Sequence, residues 1–378
     1  MKSKSLSVKN IQELNQCLDQ VIGENFSPTV AIVFSSVVHN LNEVAAIFDK
    51  RNIDLLGCSS AGEIHGGEVV EHGIVVLLME MQKSHYKIHT VETGENSTYQ
   101  IAHEMGQFCN DSFKNPAAFV FSGGMTTDAE QVIFGMKDGI GREIPLYGGA
   151  AGDDLKMTTT MVLSNNWVSD NGLVCMMVDT DKISVTGMAS SGWEPIGTVN
   201  TITKSKGNVI YSINDKPALD VFLKYFGFFG VEEGEGPQLE TISGQYPLQI
   251  MRESGYSVLR SPLIADEENR SLVLAGGVKE GDEFRFSVSP GFEVVEKTVE
   301  EFGHLKEKTA EADAMFLVSC KGRHTALGPI IEDEISGIHN YWKAPMIGFF
   351  SYGEIGNMKN GTCEFHNETC IMVILKEK

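Results

Sequence analysis

Internal repetition constrains this 378-residue chain more than any other feature. One pattern recurs three times. It opens with an apolar strand: AIVFSS at 31–36, AFVFSGG at 118–124 and MFLVSCKG at 315–322. A stretch of helical character follows, then an apolar approach into a glycine-rich turn: LLGCSSAGEI at 55–64, PLYGGAAGDD at 145–154 and MIGFFSYGEI at 346–355. A second apolar strand closes each copy: GIVVLLME, GLVCMMVD and CIMVILKE. The first and third turns share the string G-x-x-S-x-G-E-I, so Gly57, Ser60, Gly62, Glu63 and Ile64 echo Gly348, Ser351, Gly353, Glu354 and Ile355. Recurrence of one pattern in this way signals one supersecondary unit used several times.

Two strands joined by a helical crossover pair in parallel, and the closing strand is expected back as an antiparallel neighbour. The fold class is therefore α/β of α+β character, with strand-helix-strand-strand units forming mixed sheets in two halves. Segments 25–200 and 215–376 are the expected domains. The first 22 residues read as an amphipathic helix. Residues 99–114 have helical spacing, and 214–227 read as a helix with Pro217 in its first turn. Residues 271–276 and 283–288 flank GVKEGD as a hairpin. The Gly-rich, acidic stretch 228–248 reads as a linker or mobile loop.

Composition excludes several classes. Lys plus Arg total 30 against 51 Asp plus Glu, a net charge of −21. Such a chain repels nucleic-acid phosphates and anionic membranes, so neither is expected as a partner. The seven Cys residues are widely spaced without a C-x-x-C pair, which reads as buried reduced thiols in a cytoplasmic protein. No signal peptide and no apolar run of spanning length occurs. Catalytic motifs are poor: GCSSAG places Ala61 where a nucleophile elbow needs Gly, and neither a phosphate-binding P-loop nor H-E-x-x-H is present.

The turns and the later strands carry the specific resemblance. GCSSAGEI with its following strand, and YGGAAGDD, resemble the FIST N-terminal domain. SCKGRHTALG, GFFSYGEIG and FHNETCIMVI, in that order, resemble the FIST C-terminal domain. The resemblance spans roughly 25–375 and implies a sensory, ligand-binding protein, not an enzyme. Amino acids are among the ligands it suggests. Stand-alone bacterial members of the NosP type imply haem as cofactor and nitric oxide as signal. They also imply output in trans to a histidine kinase or to a diguanylate cyclase or phosphodiesterase. A homodimer stays open. The chain ends on its last repeat strand, which fits output in trans.

Each candidate residue has a functional and a structural reading. The Gly turns either cradle a ligand or make tight corners. Glu63 and Glu354 either bind an ammonium group or accept backbone N–H bonds. Tyr352 sits in the same turn as Glu354. Arg323, beyond an apolar strand, either grips a carboxylate such as a haem propionate or pairs with Glu332 or Glu334. Cys320 is a soft ligand or redox thiol, or a small buried residue; with Cys58 it is also the nucleophile of an alternative, thiol-dependent enzyme. Trp193 packs over a planar ligand or closes an apolar cluster. His39 and His324 follow the first strand of their copies and are the haem axial candidates, against a surface or core role. His366 reads as structural.

Overall fold

Each repeat folds as a parallel strand pair closed by an antiparallel third strand. The computed structural model describes residues 1–227, 246–253, 255–288, 291–359 and 361–378, so most of the expected 228–248 linker lies outside the described residues. The leading strands are Val30–Ser36, Pro116–Ser122 and Ala314–Cys320. Each pairs in parallel with a turn strand, Asp54–Ser60, Leu146–Ala150 or Met346–Ser351. Each pairs on its other side, antiparallel, with a closing strand, Ile74–Met79, Gly172–Asp179 or Cys370–Glu377. An outer antiparallel strand, Ser3–Val8, Tyr86–Glu92 or Ile183–Ser190, completes that flank.

The far flank is exchanged among units. The hairpin after the first turn, Glu63–His65 with Glu68–Val70, joins the third unit's turn strand. The hairpin after the second, Val162–Ser164 with Trp167–Ser169, joins the first unit's. The hairpin after the third, Gly353–Asn357 with Cys363–His366, joins the second unit's. The exchange is cyclic, and each sheet therefore has six strands. Its register is the same in all three places: Ile64 faces Gly348, Leu163 faces Gly57 and Ile355 faces Gly148. Because Ile183–Ser190 edges the third sheet, the units also share sheets across the boundary between the expected chain segments.

The repeated glycine has a steric cause. A Cβ on Gly57 would lie 1.9 Å from the Val33 carbonyl oxygen, on Gly148 1.7 Å from that of Val120, and on Gly348 2.5 Å from that of Leu317. Only a residue without Cβ lets the parallel strands close to this spacing. The inner faces then meet in one core drawing on all three units. Phe34, Phe121 and Phe349 form its triangle, with centroids 5.3, 4.4 and 5.8 Å apart. Helices cover the outer faces. Thr98–Ser112 starts with a capping box, the Ser97 and Gln100 side chains each bonding the other's backbone. Ala129–Ile140 starts on Asp128, whose side chain accepts from the N–H groups of Glu130 and Gln131.

An eight-stranded antiparallel sheet forms a second module with its own core around Ile202, Phe222, Phe284 and Phe286. It corrects one expectation. Strands Ser271–Leu274 and Glu283–Val288 do not pair with each other. The first pairs with Val209–Ile213 and Pro262–Asp266, the second with Glu194–Lys206 and Leu248–Met251. These other pairings, which bury Leu272 and Phe286, outcompete the local turn. The N-terminus is corrected too. Residues Ser3–Val8 form an edge strand, and the helix begins only at Ile11, where the Asn10 side chain accepts from Glu13 N–H.

Candidate functional site

The three Gly turns converge at one end of the molecule, beyond the carboxyl ends of the leading strands, where α/β sheets commonly bind ligands. Backbone bonds lock them together. Ala61 N donates to Phe350 O (2.9 Å) and Phe350 N to Gly62 O (2.8 Å). Gly152 N and Asp154 N donate to Ser59 O and Ser60 O (3.0 and 3.1 Å), and Tyr352 N donates to Ala150 O (3.1 Å). All three units meet at this point.

Glu63 and Glu354 do the same work in their turns. Both are fully buried. The Ser60 hydroxyl and Gly73 N–H (2.8 Å) donate to Glu63. The Ser351 hydroxyl (2.6 Å) and Thr369 N–H (3.4 Å) donate to Glu354. Each carboxyl thus ties the exchanged hairpin to the start of its own unit's closing strand. Burial pushes Glu63 up to about 8 and Glu354 well above the carboxylate range.

The second turn departs from this pattern. Asp153 accepts from the N–H groups of Met157, Thr158 and Thr159 (3.0, 2.6 and 3.1 Å) and from the Tyr352 hydroxyl. Burial raises its pKa, but these donors outweigh burial and hold it below the ordinary value. Tyr352 Oη in turn accepts from Leu155 N–H (3.0 Å). The loop so held contains three non-glycine residues with left-handed backbone, Asp154 (φ 56°), Leu155 (φ 58°) and Met157 (φ 52°). Such conformations cost on the order of 1–3 kcal/mol each and cluster at functional sites.

Facing this loop is helix Lys321–Leu327, where spacing i, i+3 puts Lys321 and His324 on one side. Lys321 Nζ lies 3.0 Å from His324 Nδ1. The His324 ring stacks on Phe350 (4.2 Å), and the ammonium lies over that same ring. Burial, then the Lys321 charge, press His324 down to about 4. An ammonium offers only donors, so Nδ1 accepts and the ring proton sits on Nε2. Burial lowers Lys321, opposed by Glu71, Asp154 and Glu63. Among the described residues no carboxylate forms an ion pair with it, whereas Lys297, Lys359 and Lys376 are all paired. On the other side of the rim, His39 Nε2 bonds the His72 carbonyl (2.9 Å), and His72 lies 3.7 Å from Asp154, which accepts from Ser36 (2.6 Å).

Of the residues singled out from sequence, Glu63, Tyr352, His324 and His39 reach this rim. The others are buried away from it, Cys58 in the first unit's turn strand and Cys320, Arg323, Glu354, Trp193 and His366 in or against the third unit. Arg323, on the opposite side of the Lys321 helix, is fully buried against Glu334. All five of its N–H donors are engaged: two on Glu334, and one each on Thr298 Oγ1, Ser191 O and Glu368 O. Its guanidinium lies 4.9 Å over the ring of Trp193. No donor is left for a carboxylate, so this arginine is a structural brace. Cys320 is buried, and burial with Glu354 and Glu368 nearby pushes its thiol well up, which disfavours the nucleophilic thiolate. Cys58 is likewise pushed up by burial. His366 is buried with Nε2 on Gly356 O (3.1 Å).

The haem axial role does not fit His324 as placed, because its ring proton sits on Nε2 and Phe350 covers one ring face. His39 donates Nε2–H to the His72 carbonyl, which leaves a lone pair on Nδ1. Among the described residues no cluster of three or more His, Cys, Asp or Glu is arranged to hold a metal ion, and no helix is long and apolar enough to cross a membrane. Sequence reasoning gave no role to Lys321, His72 or the Asp153–Asp154 pair. The i, i+3 spacing of Lys321 and His324 was the available signal.

The buried groups predict a two-sided pH profile. Burial raises Glu63 to about 8 and Glu368 to about 7. Their folded pKa values lie above the unfolded ones, so their contribution is full below pH about 4.5 and is lost as pH rises through 7 to 8. Burial lowers His324 and His366 to about 4. Their contribution is present above pH about 6.5 and is lost as pH falls through 4. Melting temperature should therefore fall on both sides of a plateau between about pH 4.5 and 6.5. Glu63→Gln, which keeps an acceptor for Gly73, should flatten the alkaline limb. An unchanged limb in Glu63→Gln would contradict the assignment.

Two family models match the chain in tandem, the FIST N domain over residues 29–216 and the FIST C domain over residues 218–357. The chain is also similar to an uncharacterized protein of Methanocaldococcus jannaschii. The two are 24% identical over 413 aligned positions, covering 95% of this chain and 76% of that protein.

Proposed function

The chain belongs to the FIST family, whose domains are sensory and ligand-binding, and on that premise we propose that its small ligand binds at the rim where the three turns meet. One observation carries this reading: the half-buried Lys321 ammonium, bonded to a neutral imidazole instead of a carboxylate. Together with His324 Nε2–H it offers a paired donor set for an anionic group. Asp154 and Glu71 supply the negative field around it, which suits the cationic end of a zwitterion. The geometry therefore favours a free amino acid or a related small molecule over haem. Lys321 and His324 take the role that sequence reasoning gave to Arg323.

Signalling follows from the exchanged hairpins. A ligand bridging the turns shifts the balance between arrangements of the units only as far as its affinity for them differs. Output in trans, to a histidine kinase or a cyclic-di-GMP enzyme, is the downstream arm of the proposal.

A thermal-shift screen of amino acids at millimolar concentration tests it. A hit should raise Tm by several degrees, the expected linkage when ligand exceeds Kd about a hundredfold. Lys321→Ala should abolish that rise. The absence of any hit, or a hit indifferent to Lys321→Ala, sinks the rim reading. A Soret band in protein purified from a haem-sufficient host, shifting with nitric oxide, would favour the haem version instead.

A further inference from the structure

The eight-stranded module meets the three-unit body at residues 365–368, where strand Cys363–His366 turns toward Cys370–Glu377. Consecutive residues of the module make this joint. Leu259 is buried in a core it shares with the third unit. Arg260, also buried, donates to Phe365 O (3.0 Å) and to Glu130 Oε1 (2.6 Å). Ser261 donates its hydroxyl to Glu368 Oε1 (2.8 Å).

Glu368 is fitted into the joint under several constraints. It is only 1% exposed, and among the described residues its Oε2 has no hydrogen-bond partner. Its backbone is left-handed (φ 52°), a conformation that non-glycine residues rarely adopt. Beneath it lies Gly322, where a Cβ would sit 2.2 Å from Glu368 Oε1. A neutral carboxyl tolerates such a place far better than a carboxylate with one oxygen bare.

The surrounding ionisable groups do not fill the gap. Arg323 faces Glu368 from helix Lys321–Leu327, but it donates to the Glu368 carbonyl (3.0 Å) and its remaining donors are engaged, two of them on Glu334. Cys320, ending the leading strand, and Glu354, on the exchanged hairpin, are both pushed up by burial and stay protonated. His366 is pressed down by burial, stays neutral and bonds Gly356 O. From the module, Arg260 is directed to Phe365, Glu130 and Gly277. Burial therefore dominates over Ser261 and Arg323 and raises Glu368 to about 7.

We propose that Glu368 is a proton-operated latch between the two modules: neutral, it keeps the joint closed, and ionised, it draws water to Oε2 and loosens the joint. The latch is independent of the ligand read at the rim. With the joint open the carboxyl returns to water and to its ordinary value of 4.5, so closure takes up a proton between pH 4.5 and about 7. Closure then weakens up to tenfold per pH unit across that window and levels off above it.

Hydrogen exchange of the full chain from pH 5 to 8, corrected for the chemical exchange rate, tests the latch. Protection of 257–266 and 363–370 should fall up to about a hundredfold between pH 5 and 7 and then level off. Strand Glu283–Val288, in the module's own core, should change far less. Glu368→Gln cannot ionise and should give a flat profile at the joint. Ser261→Ala removes the hydroxyl that favours the ionised form, so it should move the levelling-off to higher pH, and it decides the matter should Glu368→Gln fold poorly. A flat profile in the parent, the same fall in Glu368→Gln, an equal fall in strand Glu283–Val288, or an unmoved profile in Ser261→Ala would each overturn the proposal.

Discussion

Gly148→Ala and Gly57→Ala should each leave the chain without its native fold. A methyl group at either position meets a carbonyl oxygen of the parallel neighbour at 1.7 or 1.9 Å. That oxygen belongs to Val120 or Val33, in the middle of a leading strand whose residues are buried on both faces. Neither strand can recede. On its other flank each glycine faces the exchanged hairpin of another unit, at Ile355 or Leu163. Relief on one side therefore opens the three-way exchange on the other. The expected loss exceeds ~4 kcal/mol, the range reserved for overpacking and backbone clash. Gly348→Ala meets its carbonyl at 2.5 Å and should be less severe. Gly94→Ala, with open space around it, should cost only about 1 kcal/mol, for its left-handed backbone. Urea unfolding followed by circular dichroism ranks the four. A cooperative transition for Gly148→Ala near that of the parent would refute the close-approach argument.

The second large effect belongs to Arg323→Ala. It removes the cation paired with Glu334, with both side chains wholly shielded from water. It also strands the carbonyls of Ser191 and Glu368 and the Thr298 hydroxyl. Breaking a buried pair from one side costs about 3–5 kcal/mol, chiefly through the orphaned charge. Replacing both partners by apolar residues of similar volume often costs far less. Arg323→Met with Glu334→Leu should therefore be more stable than Arg323→Ala alone, measured by chemical denaturation. If the double variant is the weaker of the two, the arginine acts through its carbonyl contacts and not through the ion pair.

These expectations mark how far the sequence could be read. The strand, helix, turn and strand order of each unit was legible because apolar runs and glycine punctuation are local signals. The match between the first and third turns likewise foretold their shared chemistry. Ser60 with Glu63 and Ser351 with Glu354 adopt the same bonds. What misled were segments with at least one partner far away in sequence. The 271–276 and 283–288 strands looked like a hairpin because only their separation was visible. The N-terminal residues looked helical because the strand they join begins about seventy residues later.

The candidate site shows the same division. CKGRH was visible as a cluster after a strand. Which of its side chains faced the rim depended on the helix that starts at Lys321. A turn of about 100° per residue sends Arg323 inward to Glu334 and leaves Lys321 and His324 outside.

By itself the sequence determined the unit, its threefold recurrence, the glycine each unit needs and the family. These are carried by residues near one another in the chain, where sterics and hydrophobic periodicity act directly. Only the tertiary structure decided that the hairpins pass cyclically from unit to unit. It also decided that the three turns meet, that Arg323 is consumed internally and that Lys321 is left without a carboxylate. Those outcomes depend on which buried groups find partners across hundreds of residues, and burial makes that choice by the penalty on whatever is left unpaired.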